Sequence, residues 1–288
     1  MKKILITGAT GFIGSNTFLN LKNNFNIFLL IRNKKRKKLN LSIYKKNKNI
    51  KILSFKNYEE LNSKLKKIKV DIIIHCATHY VKHHKNSDVP KIIDSNIILG
   101  SIILENLDNL KVKKFVNFTT VWENYNGKKN HSFNLYSTSK QIFRKILDSS
   151  RKKNKKIKFY NFFISDTYGL NDKRPKLINV LKKNYIKNKT TKIISKNLYI
   201  NLLDIRDILR AINLIINKSI KSGNYSLNNP SDYNILKIIN KINKKNKKIK
   251  VNWLSSKIVK EKIYRYKKIP SWKAKFSNLH NLSNFITN

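Results

Sequence analysis

Two side chains four residues apart can move a proton together. They are Tyr136 and Lys140, in Tyr136-Ser137-Thr138-Ser139-Lys140. On a helix that spacing puts both on one face. A phenol with its ordinary pKa near ~10 is a poor acid–base catalyst at neutral pH. An ammonium beside it favours the phenolate and lowers that pKa. Such a pair could pass a proton to or from an oxygen while hydride moves at the neighbouring carbon. The spacing is common by chance, so the pair needs company. Upstream, Phe118-Thr119-Thr120-Val121-Trp122 places a hydroxyl, Thr120, just after an apolar run, where it could hydrogen-bond the reacting oxygen.

A second such segment lies near the N-terminus. Three of the chain's seven glycines fall in Thr7-Gly8-Ala9-Thr10-Gly11-Phe12-Ile13-Gly14. This G-x-x-G-x-x-G run sits between the apolar Lys3–Thr7 and Ser15–Lys22, which has helical spacing. A pyrophosphate site needs glycine there. The chain must turn tightly, let its backbone approach the phosphates and pack helix on strand. The helix start then aims free N–H groups at the anion. The alternative is a sharp turn without a ligand. A second apolar run, Asn26–Ile31, leads into Arg32-Asn33-Lys34. No carboxylate stands there to take a ribose 2′-hydroxyl, whereas Arg32 can pair with a 2′-phosphate. This favours NADP, with NAD possible, because Arg32 is also one more basic residue in a very basic chain.

The elements that must position these groups follow from periodicity. Strand, turn, helix, strand at the N-terminus is one βαβ unit, and its fully apolar strands suit a parallel sheet covered on both faces. Further strands are expected at Ile50–Phe55, Val70–His75, Lys114–Phe118 and Ile157–Ile164. Helices are expected near Ile92–Asn109 and Tyr136–Ser149. The pattern predicts an α/β fold, a Rossmann-type doubly wound parallel sheet. After Asp166 it loosens: a strand at Leu198–Leu203, helices at Asp204–Ile216 and Tyr233–Ile242, and a tail with Pro270-Ser271-Trp272-Lys273. The expected division is a dinucleotide-binding domain over 1–165, with 198–216 returning to it, and a smaller C-terminal substrate lobe over 166–288.

The bulk composition bounds the partners. The 288 residues carry 63 Lys and Arg against 15 Asp and Glu, a net charge of +48. Such a field attracts any polyanion in a salt-dependent way. A dedicated nucleic-acid site would show a localised basic stripe with interleaved aromatics. Here Lys, Asn and Ile recur in every region, and the densest run, Asn243 to Lys248, holds no aromatic and reads as a solvated turn or helix end. Composition drift is therefore favoured over a specific nucleic-acid partner. Cys76 is the single cysteine, so no intrachain disulfide can form. With no apolar run near the length of a membrane span and no cleavable signal after Met1-Lys2-Lys3, the cytoplasm is the expected place.

Taken together, the motifs resemble the extended short-chain dehydrogenase/reductase family of sugar-nucleotide epimerases, dehydratases and ketoreductases. The carrying residues are the glycine run, Asp71-x-x-x-His75-x-Ala77, Asn96, Thr120 and Tyr136-x-x-x-Lys140. Asp166-Thr167-Tyr168-Gly169, Asn201 to Asp207 and Trp272-Lys273-Ala274-Lys275 extend the resemblance over nearly the whole chain. Two segments, His75 to Tyr80 and Ser165 to Ile178, are similar to the CDP-abequose and CDP-paratose synthase branch, which reduces 4-keto-6-deoxy sugar nucleotides. The resemblance implies cofactor contacts from Gly8, Thr10, Gly11, Phe12, Ile13, Gly14, Arg32, Ala77, Thr78 and Asn96. It implies that Tyr136 donates the proton, that Lys140 binds the nicotinamide ribose and tunes Tyr136, and that Thr120 holds the sugar O4. Asp166, Arg174 and Lys176 would lie near the substrate, with Arg174 or Lys176 on its diphosphate. It also implies a homodimer packed through the two helices named above. Where many relatives carry a diphosphate-binding arginine, this chain has Tyr199-Ile200-Asn201.

Other chemistries compete less well. His79 and His83 have helical i, i+4 spacing with His84 beside them, but a metal would want a further ligand, and none is expected. Cys76 is expected to be a buried, inert thiol. Asp204 and Asp207 suit helix capping as well as ligand contact. An epimerase on the same fold stays open. A dehydratase would want an acid pair around Thr120, where Glu123 stands alone. A non-catalytic or polyanion-binding member would not need the Thr120, Tyr136 and Lys140 set.

Overall fold

The computed structural model describes residues 1–32, 47–244 and 248–287. Asn33, Lys34 and the middle of the basic run at 243–248 lie outside them. Six strands follow the apolar runs: β1 (Lys3–Thr7), β2 (Asn26–Arg32), β3 (Ile50–Phe55), β4 (Ile72–His75), β5 (Lys114–Thr120) and β6 (Lys158–Ile164). Short strands follow at β7 (Asp166–Tyr168), β8 (Thr191–Ile193), β9 (Leu198–Ile200) and β10 (Leu202–Asp204), then β11 (Gly223–Leu227). The main sheet is seven-stranded and parallel, in the order β11-β6-β5-β4-β1-β2-β3. The chain reverses its winding between β1 and β4, the crevice where ligands of such sheets bind.

The helices are α1 (Phe12–Leu21), α2 (Tyr58–Lys66), α3 (Val89–Ile93), α4 (Leu99–Glu105), α5 (Leu107–Leu110), α6 (Leu135–Lys153), α7 (Leu177–Ile186), α8 (Ile205–Asn217), α9 (Ile235–Asn243) and α10 (Leu279–Thr287). Alternation along each strand feeds two cores. Ile4, Ile6, Val116, Phe118 and Tyr160 pack with Phe18 of α1 and Ile208, Ile212 and Ile215 of α8. Leu5, Ile73, Phe115 and Phe159 pack with Leu61 of α2, Ile103 of α4 and Phe143 and Leu147 of α6. The doubly wound, three-layer fold expected from the sequence is what forms. A third core, with Ile178, Leu181, Leu202, Ile235, Ile238 and Leu282, fills the smaller lobe.

Three details depart from the periodicity reading. The sheet's last strand, β11, lies in a stretch read as substrate lobe. Its Gly-Asn-Tyr-Ser-Leu has no apolar run to announce it. The single strand expected at Leu198–Leu203 is broken at Asn201. β9 joins β12 (Tyr233–Asn234) and β13 (Val259–Lys260), whereas β10 pairs with β7. Buried Asn201 makes the corner by donating to the Asn229 carbonyl and the Asp232 carboxylate, both at 2.9 Å. The segment carrying His79 and His83 is not helical, so their spacing creates no common face.

One polar row crosses the sheet. Thr7, His75, Asn117, Asn161 and Asn224 stand opposite one another on β1, β4, β5, β6 and β11. Thr7 Oγ1 meets His75 Nδ1 at 3.0 Å, Asn117 donates to Asn161 at 2.9 Å, and Asn161 to Asn224 at 2.9 Å. A one-residue slip of any strand would bury these amides without partners, so the row fixes register.

Candidate active site

The glycine turn follows β1 at the carboxyl edge of the sheet. Gly8 has φ +66°, and a Cβ there would stand 2.6 Å from the Ala77 backbone nitrogen. A Cβ on Gly14 would stand 2.3 Å from the Gly8 carbonyl oxygen. The first glycine therefore lets the loop after β4 close over the turn, and the third lets α1 start against it. Gly11 caps α1 and offers no side chain to the first-turn amides, so Phe12, Ile13 and Gly14 open the helix towards the crevice. This cradle, narrow and amide-lined with no acid in the first turn, fits a dinucleotide pyrophosphate.

The loop after β4 is fastened by Asn96. This fully buried residue sits in a π-helical turn, Asp94–Ile98, between α3 and α4. Its Oδ1 accepts from Thr78 Oγ1 at 2.9 Å and from the His79 amide at 2.7 Å, and its Nδ2 donates to Ser139 Oγ at 2.8 Å. Asn96 thus ties the Ala77–His79 loop to α6. The Ala77 amide is held in turn by Thr7 Oγ1 at 3.0 Å.

Helix α6 carries Tyr136 and Lys140. Asn134 caps it in a reciprocal capping box with Ser137, and Arg151, Lys152 and Lys153 suit its C-terminal dipole. Tyr136 leans edge-on against Tyr80, ring centroids 5.0 Å apart, and Tyr80 in turn lies 6.3 Å from Trp122. Burial pushes the Tyr136 phenol above its ordinary range and the Tyr80 phenol adds to this; Arg174 and a hydrogen bond with Thr78 pull the other way without prevailing. The expected lowering of the phenol is therefore outweighed by desolvation. Lys140 is 2% exposed, and burial lowers its ammonium to about 8 against the opposing pull of Glu123 and Cys76. Thr120 ends β5 and accepts the Trp122 amide at 3.3 Å, starting a 3₁₀ turn over Val121–Gly127.

Across from Tyr80 lies a charged cluster. Lys176 pairs with Asp166 and lies 5.0 Å over the Tyr80 ring. Burial pushes Asp166 up, but Lys176 and Arg174 hold its carboxyl below the ordinary range. Arg174 grips Asp172 with Nε and Nη2, both at 2.7 Å, reaches Thr167 Oγ1 at 2.8 Å, and stacks 4.3 Å over Phe12 of the glycine turn. Glu261 closes the rim by accepting from Trp122 Nε1 at 3.0 Å.

Tyr136, Lys140, Thr120, Asp166, Arg174 and Lys176 are therefore gathered at one edge of the sheet with Ala77, Thr78 and Asn96. Arg32, at the end of β2, pairs with Asp94 at the start of the turn that holds Asn96. Periodicity missed Tyr80, Trp122, Glu261 and Arg144. Of these, Arg144 had a signal, since Tyr136, Lys140 and Arg144 repeat every four residues. Burial pushes the Cys76 thiol up to about 12, which keeps it protonated. Asp204 caps α8 by accepting the Arg206 amide at 2.9 Å. Asp207, fully buried, accepts from the amides of Lys275, Phe276 and Ser277 at 2.8–2.9 Å and pins the segment after Trp272.

Known proteins are arranged alike. The NAD dependent epimerase/dehydratase family matches residues 4–235. The chain is 27% identical to a CDP-abequose synthase of Yersinia pseudotuberculosis over 84% of its own length and 83% of that protein's. In structure it is similar to the UDP-Glc/GlcNAc 4-epimerase of Campylobacter jejuni, TM-score 0.79 and 16% identity over 99% and 98% of the two chains. It is also similar to the dTDP-glucose 4,6-dehydratase of Bacillus anthracis in complex with NAD, TM-score 0.78 and 19% identity over 99% and 96%. At such identities the structural likeness speaks for the fold. Among the described residues, no helix is long and apolar enough to cross a membrane.

Proposed function

Because the chain belongs to the NAD dependent epimerase/dehydratase family, and is an enzyme of that class, we propose that it reduces a 4-keto-6-deoxy sugar nucleotide with a nicotinamide cofactor, NADPH by preference. The observation that carries the reading is Tyr136, a phenol kept protonated by burial on the helix face of Lys140, at the sheet edge that also holds Thr120. A ketone reduction consumes one proton at the carbonyl oxygen, and a protonated donor is what the step needs.

The bound cofactor would supply the hydride to the ring carbon. Thr120 would hold the sugar O4, and Tyr136 would give it a proton, turning the ketone into an alcohol. Lys140 would hold the nicotinamide ribose and stabilise the phenolate that Tyr136 becomes once its proton has left. The Asp166–Lys176 pair and Arg174 would meet the sugar nucleotide, with Lys176 or the remaining arm of Arg174 on its diphosphate. Tyr80 and Trp122 supply an apolar wall that keeps water from the reacting centre. Expulsion of water from the sugar is disfavoured, because Glu123 is turned inward onto Arg144.

The test is to mix the protein with NADPH and CDP- or dTDP-linked 4-keto-6-deoxy sugars, following cofactor oxidation and the product mass. Oxidation with a gain of two hydrogens supports the reading. Interconversion of 4-epimers without net cofactor consumption would replace it with the epimerase reading, which the 4-epimerase among the structural relatives keeps in view. We also propose a homodimer seamed through α3, the π-helical turn that follows it, α4 and α6, where Ile98 of the turn and Ile142 of α6 stand 39% and 41% exposed. Light scattering that shows only monomer at micromolar concentration and moderate salt rejects it.

A further inference from the structure

Beneath the proposed catalytic pair lies a charge arrangement which that pair does not explain. Tyr136, Lys140 and Arg144 occupy successive turns of one face of α6. Opposite them, on the 3₁₀ turn that follows Thr120, Glu123 is completely buried. Arg144 Nε donates to Glu123 Oε2 at 2.7 Å and is itself steadied by Asn130 at 3.2 Å. The other carboxylate oxygen, Oε1, is buried with no hydrogen-bond partner. A buried carboxylate with one free oxygen costs folding energy unless a second positive charge is served by it.

A second positive charge, Lys140, lies one helical turn before Arg144 on the same face of α6 and feels the Glu123 carboxylate without pairing with it directly. The groups that face its ammonium from β4 are His75 and Cys76. Burial lowers the His75 imidazole to about 3, which leaves it neutral, and raises the Cys76 thiol to about 12, which leaves it protonated. On α6 itself, Tyr136 is protonated and Arg144 is cationic. Asp148 lies further along, 3.5 Å from Arg144. Tyr266, from the C-terminal part of the chain, faces Glu123 and Arg144 with a phenol raised by burial. Among these groups, Glu123 is the carboxylate that acts on Lys140.

We propose that Glu123, anchored by Arg144, is a positioning residue whose buried carboxylate keeps Lys140 charged beside Tyr136. The inference rests on the Tyr136–Lys140 reading above. Its physical content is simple. An ammonium this deeply buried with no counter-charge sheds its proton. A neutral Lys140 would no longer make a charge-assisted hydrogen bond to a ribose hydroxyl or favour the phenolate after proton transfer. Burial pushes the carboxyl of Glu123 up and the ammonium of Lys140 down, and the opposite charge nearby holds each towards its ionised form. The two titrate as a coupled system.

The experiment compares wild type, Glu123→Gln and Glu123→Asp in two readouts across pH 6–9.5: the dissociation constant of NADPH by fluorescence, which needs no turnover, and kcat. In the wild type, NADPH binding weakens as pH rises through about 8. In Glu123→Gln, that alkaline limb moves at least one pH unit lower in both readouts, weakening NADPH about threefold at pH 7.5 for a one-unit shift. Glu123→Asp restores the limb. If Glu123→Gln fails to fold by circular dichroism, the double variant Glu123→Gln/Arg144→Gln, which also removes the guanidinium left without its carboxylate, must show the same shift. An alkaline limb that stays in place in the folded variant overturns the proposal. Failure of the reductase reading looks different: the wild type turns over no keto sugar, while the binding limb still moves.

Discussion

Arg32 gives one arm of its guanidinium to the Asp94 carboxylate and the other, at 3.0 Å, to the Tyr58 hydroxyl. The residue that would take a 2′-phosphate is therefore already paired, across the crevice, with the start of the π-helical turn that holds Asn96. A cofactor phosphate must compete with Asp94 for it. Arg32→Ala should weaken NADPH about tenfold or more and NADH much less, since a charge-assisted hydrogen bond is worth roughly 1.5–3 kcal/mol. Asp94→Asn should tighten NADPH selectively by removing a like charge. Fluorescence titration of both cofactors decides the matter; an unchanged NADPH-to-NADH ratio in both variants removes Arg32 from cofactor choice.

Tyr136→Phe keeps the ring against Tyr80 and deletes the transferable proton. We expect kcat to fall by roughly 10²–10⁴-fold with NADPH affinity within a few-fold of wild type. Near-normal turnover would assign the proton to another group.

The carboxylate of Asp207 gathers three backbone amides, the Ser277 hydroxyl at 2.7 Å and the Arg210 guanidinium at 3.2 Å inside the protein. Asp207→Ala leaves these donors without an acceptor and should cost about 3–5 kcal/mol. The Trp272 indole, which donates to the Asp207 carbonyl at 2.9 Å, reports the same event by its fluorescence. A urea midpoint unchanged from wild type would mean that water replaces the carboxylate at little cost.

His75 is buried in the polar row, and its imidazole falls from an ordinary 6.5 to about 3, first through burial and then through the Lys140 charge. Below pH 6.5 the unfolded chain takes up a proton here that the folded chain refuses. Stability is therefore undiminished by this group above 6.5 and is lost as pH falls towards 3, by at most about 1.4 kcal/mol per pH unit. Urea unfolding of wild type and His75→Asn at several pH values should show a shallower acid slope in the variant. Equal slopes would place the proton uptake elsewhere.

The strands of the cofactor half could be read from the sequence because they are buried on both faces and so nearly uniformly apolar, as in Asn26–Arg32. The glycine turn was legible because its constraint is steric and local. Strand β11 was not, because its place at the sheet edge is set by Asn224 meeting Asn161, a pairing between distant parts of the chain. The same distinction runs through the site. Tyr136 and Lys140 announce themselves by helical spacing. Tyr80, Trp122 and Glu261 reach the same place from three separate segments, and Arg32 meets its partner, Asp94, only once the Asp94–Ile98 turn has folded against the end of β2. Glu123 stands alone near Thr120 in the sequence, and the fold turns it inward to Arg144.

The edge position of β11 has a consequence for how the protein is made. β6 is complete at Ile164, yet the strand that covers its outer edge ends at Leu227. Until the chain has left the ribosome well past that point, the part of the sheet built up to Ile164 carries an uncapped row of peptide groups along β6. Such a bare edge recruits other strands. Fragments that stop between the two halves should accumulate as inclusion bodies, and synthesis that stalls there would expose the same liability in the cell.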